Sequence, residues 1–302
     1  MNFSKVSSGV FIAIVGIVLF SAKAIMVKLA YEFDVSSLHL LLFRMLFSLP
    51  FYIVIALIYR PRQVEKIKNI DYVWILFFGF IGYYLASYFD FLGLKYIKAG
   101  LERIILFVYP TLVLIISKIF LKTKITNKQI IAILITYFGV VITFWGEVQF
   151  ENEKMLFGGF LIFLSALTYA SYLVGSGWLI PKFGVVLFTS YAMIVSSICV
   201  IAHYLITDRA SITHYSNEVY ILGFLMAVIS TIIPSFLVSL AIKKLGSSNF
   251  SIIGSIGPIS TIVLAYFFLD ERLSFLQFIG ASIVLVGIGI ISISKTKKKP
   301  IS

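Results

Sequence analysis

Five charged residues stand in stretches that are otherwise apolar: Lys23, Arg44, Asp90, Glu102 and Arg103. Placing such a side chain at the centre of a bilayer costs about 2.5–3.5 kcal/mol on insertion scales, so charges kept there face one another or a cavity. The five carry three positive charges and two negative, and at similar depth they form one ionic cluster. A positive surplus beside Tyr83, Tyr84, Tyr88 and Tyr109 suits a cargo that bears a carboxylate or phosphate. A plainer reading stands beside it. Glu102 falls in the first turn of a helix, where the helix dipole favours a carboxylate, and Asp90 is placed to pair with Arg103 across a hairpin as a structural lock. Lys23 has a stem long enough to snorkel to the interface. Glu102 and Arg103 point about 100° apart on a helix, so one of the two faces the cavity. Tyr84, Ser87, Tyr88 and Phe91 share one helix face.

These residues sit in elements that only a bilayer accommodates. The chain has 302 residues, 60% hydrophobic and 13% charged, with a mean hydropathy of +1.04. A soluble domain has about 45–50% apolar and about 25% charged residues. Apolar runs of spanning length recur ten times, near 8–29, 37–59, 72–93, 99–120, 127–147, 156–179, 184–206, 219–241, 248–269 and 274–294; about 20 residues at 1.5 Å each cross the hydrocarbon layer. The first run, Val10 to Val27, reads as a retained helix and not a cleaved leader. Connections are short and leave no room for a soluble domain.

Placing the N-terminus in the cytoplasm gathers sixteen Lys and Arg on the inner side against six outside, which predicts both termini inside and a cell inner membrane location. The same rule accounts for the net charge of +12 without nucleic acid. The terminal KTKKK then serves as an anchor beside anionic lipid. A single cysteine, Cys199, excludes an intrachain disulfide. His39, His203 and His214 lack metal-ligand spacing, and no phosphate loop or nucleophile elbow is present, so no metal, cofactor or enzymatic activity is expected. Energy would come from a gradient, with Glu102 or Asp90 as proton carriers.

Sliding the chain by 148 residues matches Ala22 to Ala170, Tyr72 to Tyr220, Pro110 to Pro258, Gln129 to Gln277 and Gly139 to Gly287. Each unit holds five helices, an odd number, so the second enters the membrane from the opposite face. The expected fold is all-α: ten transmembrane helices in two inverted five-helix repeats, 8–147 and 156–294. In such carriers the cargo site lies between the halves near the midplane. All five buried charges belong to the first unit; their counterparts are Ser171, Ala192, Val238, Phe250 and Ser251.

FLDERLSFLQFIGASIVLVGIGII and LKYIKAGLERIILFVYPTLVLIISKIFL resemble the closing hairpin and the helix 3–4 passage of the EamA-type repeat in the drug/metabolite transporter superfamily. The likeness covers nearly all of the chain as two copies. It departs at KTKIT, where the family usually places an acidic-basic turn. The resemblance implies ten helices, a central cavity and transport of small metabolites, amino acids or drugs, often outward. Read together, the sequence predicts a secondary transporter, an exporter or exchanger, of a small organic metabolite such as an amino acid or organic anion, working by alternating access. Its alternatives are a passive channel or a cation or drug efflux protein using Glu102. The candidate site is Lys23, Arg44, Tyr84, Tyr88, Asp90, Glu102, Arg103 and Tyr109, with Pro110 and Pro258 as kinks that serve as hinges. Partners are the solute, the lipid bilayer and protons; oligomeric state is left open.

Overall fold

The computed structural model of the protein describes residues 3–59, 67–97, 99–143, 153–208, 211–268 and 274–292. Every regular element among them is helical. They are α1 (Phe3–Tyr31), α2 (Ser37–Ile58), α3 (Asn69–Gly79), α4 (Ala86–Gly93), α5 (Ala99–Leu106), α6 (Tyr109–Phe120), α7 (Asn127–Thr143), α8 (Glu153–Thr207), α9 (Asn217–Ala227), α10 (Ile233–Leu245), α11 (Ser247–Ile253), α12 (Ile256–Phe268) and α13 (Phe275–Ser292). Among the described residues, six helical stretches are long and apolar enough to cross a membrane: Ser8–Tyr31, Ser37–Ile58, Asn69–Gly93, Lys154–Thr207, Asn217–Leu245 and Ser247–Phe268. Three shorter apolar stretches lie at Ile104–Phe120, Asn127–Ile142 and Phe278–Ile290.

The 55-residue α8 holds two of the expected runs. Gly184 interrupts it with φ 78° and ψ 163°, a conformation that only glycine adopts without strain. The chain reverses there. Gly158 packs on Gly93 and Tyr96, Lys182 reaches Asp71 beside the start of α3, and Asp208 returns to His39 at the start of α2. The end where α1 begins is called the near end and the opposite one the far end.

α3 and α4 are one rod joined by a π-helical turn, Phe80–Leu85. α9 and α10 are joined the same way by Val228–Ile232. Adding 148 to the first set of boundaries gives the second almost residue for residue, and the same shift carries α6 onto α12 and α7 onto α13. α7 and α13 pack antiparallel, since Gly139 meets Gly280 and Val284 while Gly287 meets Ala132 and Thr136. Small residues at such crossings let helices approach closely.

The proline expectation needs correcting. Pro110 and Pro258 do not kink continuous helices; each stands just beyond a break. α5 stops at Leu106 and α6 begins at Tyr109, with Pro110 in its first turn. α11 stops at Ile253, one residue before Gly254, and α12 follows. Proline lacks an N–H and its ring collides with the carbonyl four residues back. Those residues are Leu106 and Gly254, where the helices end.

Gly82, in the first π-turn, lies so close to Tyr172 of α8 that a Cβ there would overlap the tyrosine ring. Gly289 has nothing within 4 Å of the same position. Gly82→Ala is therefore expected to lower stability by about 1–3 kcal/mol through overpacking, whereas Gly289→Ala leaves it unchanged or raised. Thermal unfolding of the detergent-solubilised protein checks the pair; equal midpoints would contradict the packing of α8 against the π-turn.

Candidate functional site

α1 carries Phe20, Ser21 and Lys23 into the interior, and α4 carries Ser87 and Asp90 to meet them. Lys23 Nζ donates to Asp90 Oδ2 at 2.5 Å, with the two residues only 4% and 1% exposed. Two opposite charges taken out of water together keep each other's compensation, which neither would find alone. Lys23 Nζ also sits 5.0 Å from the centre of the Phe20 ring, a cation–π distance. The expected snorkelling of Lys23 is thus overturned, because its amine turns inward to Asp90.

Arg44 comes from α2 and is fully buried, 1% exposed. Its Nη2 donates to Ser87 Oγ at 2.8 Å, and its Cζ lies 5.1 Å from the Phe91 ring centre. Asp90, Tyr52 and Tyr83 are within its electrostatic reach. Lys23, Arg44 and Asp90 therefore come together around one turn of α4. Glu102 is 0% exposed on α5, which packs against α8 and α12. The side chain of Arg103 lies outside the described residues.

The far end of α1 clamps the turn that follows α4. Lys28 Nζ donates to the carbonyls of Leu94 and Ile97 at 2.8 and 2.7 Å, and Tyr31 Oη donates to that of Phe91 at 2.6 Å. These contacts satisfy carbonyls that a helix leaves unpaired at its end. They also hold Asp90 in front of Lys23.

Two small cavities lie beside α1, and the ion pair lines one of them. One, of about 30 Å³, is lined by Lys23, Asp90, Ser87, Tyr83, Ser165 and Tyr169 among others. The second, of about 40 Å³, is lined among others by Ser21, Tyr109, Tyr169, Phe250, Gly254 and Pro258. Phe20, Leu106 and Tyr169 belong to both. At about 10–15 Å³ for each water, each has room for a few waters. Arg44 stands behind Ser87 and lines neither.

Of the expected aromatics, Tyr109 faces the second chamber and meets Tyr169 edge-on at 5.7 Å. Tyr84 and Tyr88 point elsewhere. The Tyr84 hydroxyl is 3.1 Å from His203 Nδ1, and Tyr88 packs edge-on to the same imidazole at 4.8 Å. Neither lines the two chambers. The single helix face predicted for Tyr84, Ser87, Tyr88 and Phe91 splits: Ser87 and Phe91 serve Arg44, while the tyrosines serve α8. Tyr83, expected beside the charges, lines the first chamber, while Ser165 and Ser21 were missed as lining. Hydroxyls at helix-interior positions were the signal for them, but a serine bonded to its own helix backbone looks the same in sequence.

Compensated charge held deep in an apolar helical bundle, beside a small cavity, fits a polytopic membrane protein of the transporter class. The chain belongs to the EamA-like transporter family, whose model matches it twice, over residues 7–145 and 156–293. Among its relatives, the uncharacterized transporter YcbK of Bacillus subtilis is 30% identical over 280 residues, covering 91% of this chain and 90% of that protein. YyaM of the same organism is 25% identical over 247 residues, covering 80% and 79%. An uncharacterized transporter of Archaeoglobus fulgidus is 26% identical over 229 residues, covering 75% and 80%. A solved crystal structure shares the fold with a TM-score of 0.76 at 14% identity, over 95% of this chain and 98% of that one.

Removing one member of a buried pair strands the other, at a cost of about 3–5 kcal/mol, whereas replacing both with apolar residues is often neutral. Asp90→Leu and Lys23→Met alone are expected to lower the unfolding midpoint sharply, and the double variant to recover most of the loss. A double variant no more stable than either single one would contradict the pairing.

Proposed function

We propose that the protein is a secondary transporter, not an enzyme, which moves a small organic metabolite such as an amino acid or organic anion by alternating access. The observation that carries this reading is the buried Lys23–Asp90 pair at the wall of a small cavity, with the Arg44 guanidinium held behind it through Ser87. An ion pair facing a chamber offers a solute two charged contacts in exchange for the one that it breaks. A solute carboxylate would take the Lys23 ammonium, and the freed Asp90 carboxylate would turn to a solute amine, a proton or Arg44.

The same reading gives the chain ten passes in two inverted units, 8–147 and 156–294, with both termini in the cytoplasm of a cell inner membrane. The 148-residue correspondence of helices and π-turns supports the two units, and the antiparallel meeting of α7 and α13 supports their inversion. Two latches close opposite ends, and each joins one unit to the other. At the near end, Lys182 Nζ bonds Asp71 Oδ1 at 2.7 Å. At the far end, His39 Nδ1 is 2.6 Å from the Tyr215 hydroxyl and His39 Nε2 is 3.1 Å from Asp208 Oδ2. Alternating access then amounts to opening one latch while the other holds, driven by an ion gradient with Asp90 or Glu102 as the proton-carrying carboxylate. Pro110 and Pro258, at the starts of the inner helical segments, mark the breaks about which α5 and α11 swing.

A fully buried carboxylate at Glu102 favours one competing reading, a channel or a cation efflux protein using that residue. Proteoliposomes separate the two. Saturable solute counterflow is expected, and ohmic current without counterflow would replace the carrier by a pore. Arg44→Ala and Glu102→Gln are expected to lower counterflow by about tenfold or more, since a hydrogen bond to a charged group contributes about 1.5–3 kcal/mol. Normal flux in both variants, at equal membrane abundance, would remove the charged cluster from the mechanism.

A further inference from the structure

A cavity larger than either of the two beside α1 lies away from the Lys23–Asp90 pair. It occupies about 270 Å³ at the near end, between the end of α6, the start of α7, α8 and the α10–α11 turn. At about 10–15 Å³ for each water, it has room for a small solute or a headgroup and its hydration. Its walls come from both repeats, stitched by a 3.1 Å hydrogen bond from Gln129 Nε2 to Asn249 Oδ1.

We propose that this cavity is a binding site for an oxyanion, the phosphate or carboxylate group of a small molecule or lipid. Among the described residues that line it, the charged one is Lys124, and no carboxylate is present. Around it the lining is hydroxyl-rich, with Ser117, Thr123, Ser247 and Ser248. Ser117 Oγ is the second, independent sign: the residue is 1% exposed, and its hydroxyl has no hydrogen-bond partner among the described residues. A buried hydroxyl left without a partner is costly, and a site that supplies one removes the cost.

The α10–α11 turn carries no side chain at Gly246, whose φ is 83°, and at Gly177 an added Cβ would come within 3.1 Å of Ser247 Oγ. The field is favourable too, because Lys122, Lys128, Lys243 and Lys244 stand in the same two turns. Asp71, the acid at this end among the described residues, is neutralised by Lys182. The gating and binding roles proposed for the central cluster are not required for this site.

The test uses inorganic phosphate and the full chain in nanodiscs. A Cys199→Ser background removes the native thiol, and Ser248→Cys places a reporter at the cavity wall for a membrane-impermeant maleimide. In phosphatidylcholine nanodiscs, phosphate is expected to slow labelling relative to chloride at equal ionic strength. Lys124→Gln should weaken that protection by about tenfold or more, and Ser117→Ala by less, in line with a charged and a neutral contact. Protection that instead appears without phosphate when phosphatidylglycerol replaces part of the lipid, and that is lost in Lys124→Gln, assigns the oxyanion to a lipid headgroup. Labelling that is the same in phosphate and chloride and in both lipids, or protection that survives Lys124→Gln unchanged, overturns the proposal. Unfolding midpoints equal to the parent's verify that each variant is folded, and solute flux through Lys23 or Asp90 variants does not enter the reading.

Discussion

Two charges that have given up water must find each other, and the 2.5 Å contact between Lys23 and Asp90 sets where α1 and α4 lie. A loose pair would forfeit the attraction that offsets its desolvation, so the neighbouring helices are held to it by further bonds. Lys28 and Tyr31 fasten the same α1 to the turn after α4, and Arg44 fastens α2 to the same turn of α4. Tyr52, Tyr172, Phe91 and Phe188 are fully buried in the same core. The interior is dry enough to make the pair matter and has just enough hydroxyl lining to admit water.

The two repeats share a scaffold and divide the chemistry. Helix boundaries, helix breaks and π-turns recur from one unit to the other, while the charges of the first unit are replaced in the second by Ser171, Ala192, Val238, Phe250 and Ser251. Where Glu102 stands in α5, Phe250 stands in α11 and lines the chamber beside Tyr109. One unit therefore supplies the ionic wall and the other an apolar and hydroxyl-bearing one. The units are joined by close helix packing, as where Gly139 and Gly287 bring α7 onto α13, and by polar contacts at either end, Lys182–Asp71 and His39 with Tyr215 and Asp208.

Much of this was legible from residue order. The apolar runs and their 148-residue repetition gave the helices, because hydrocarbon demands length and backbone satisfaction that few sequences meet. The charged positions drew attention because their burial is costly. Pairing was less legible: Asp90 found Lys23 on α1, a partner 67 residues away, where the hairpin suggested Arg103. The facing of the α3–α4 rod was less legible still: Ser87, Asp90 and Phe91 face α1 and α2, while Tyr84 and Tyr88, predicted beside the charges, turn to His203 of α8. Pro110 announced a disturbance, but sequence did not distinguish a bend from a full interruption, which depends on how neighbouring helices satisfy the freed backbone groups.

The paired π-turns carry a historical consequence. Phe80 and Val228 open them at equivalent places in the two units, although the residues within, FIGYYL and VISTI, have diverged almost completely. An irregular winding conserved where its letters are not is most simply inherited from a shared ancestor. On that history the half-length progenitor already had the extra residue before its gene doubled, and the later copies were free to trade one unit's charges for the other's serines without unwinding it.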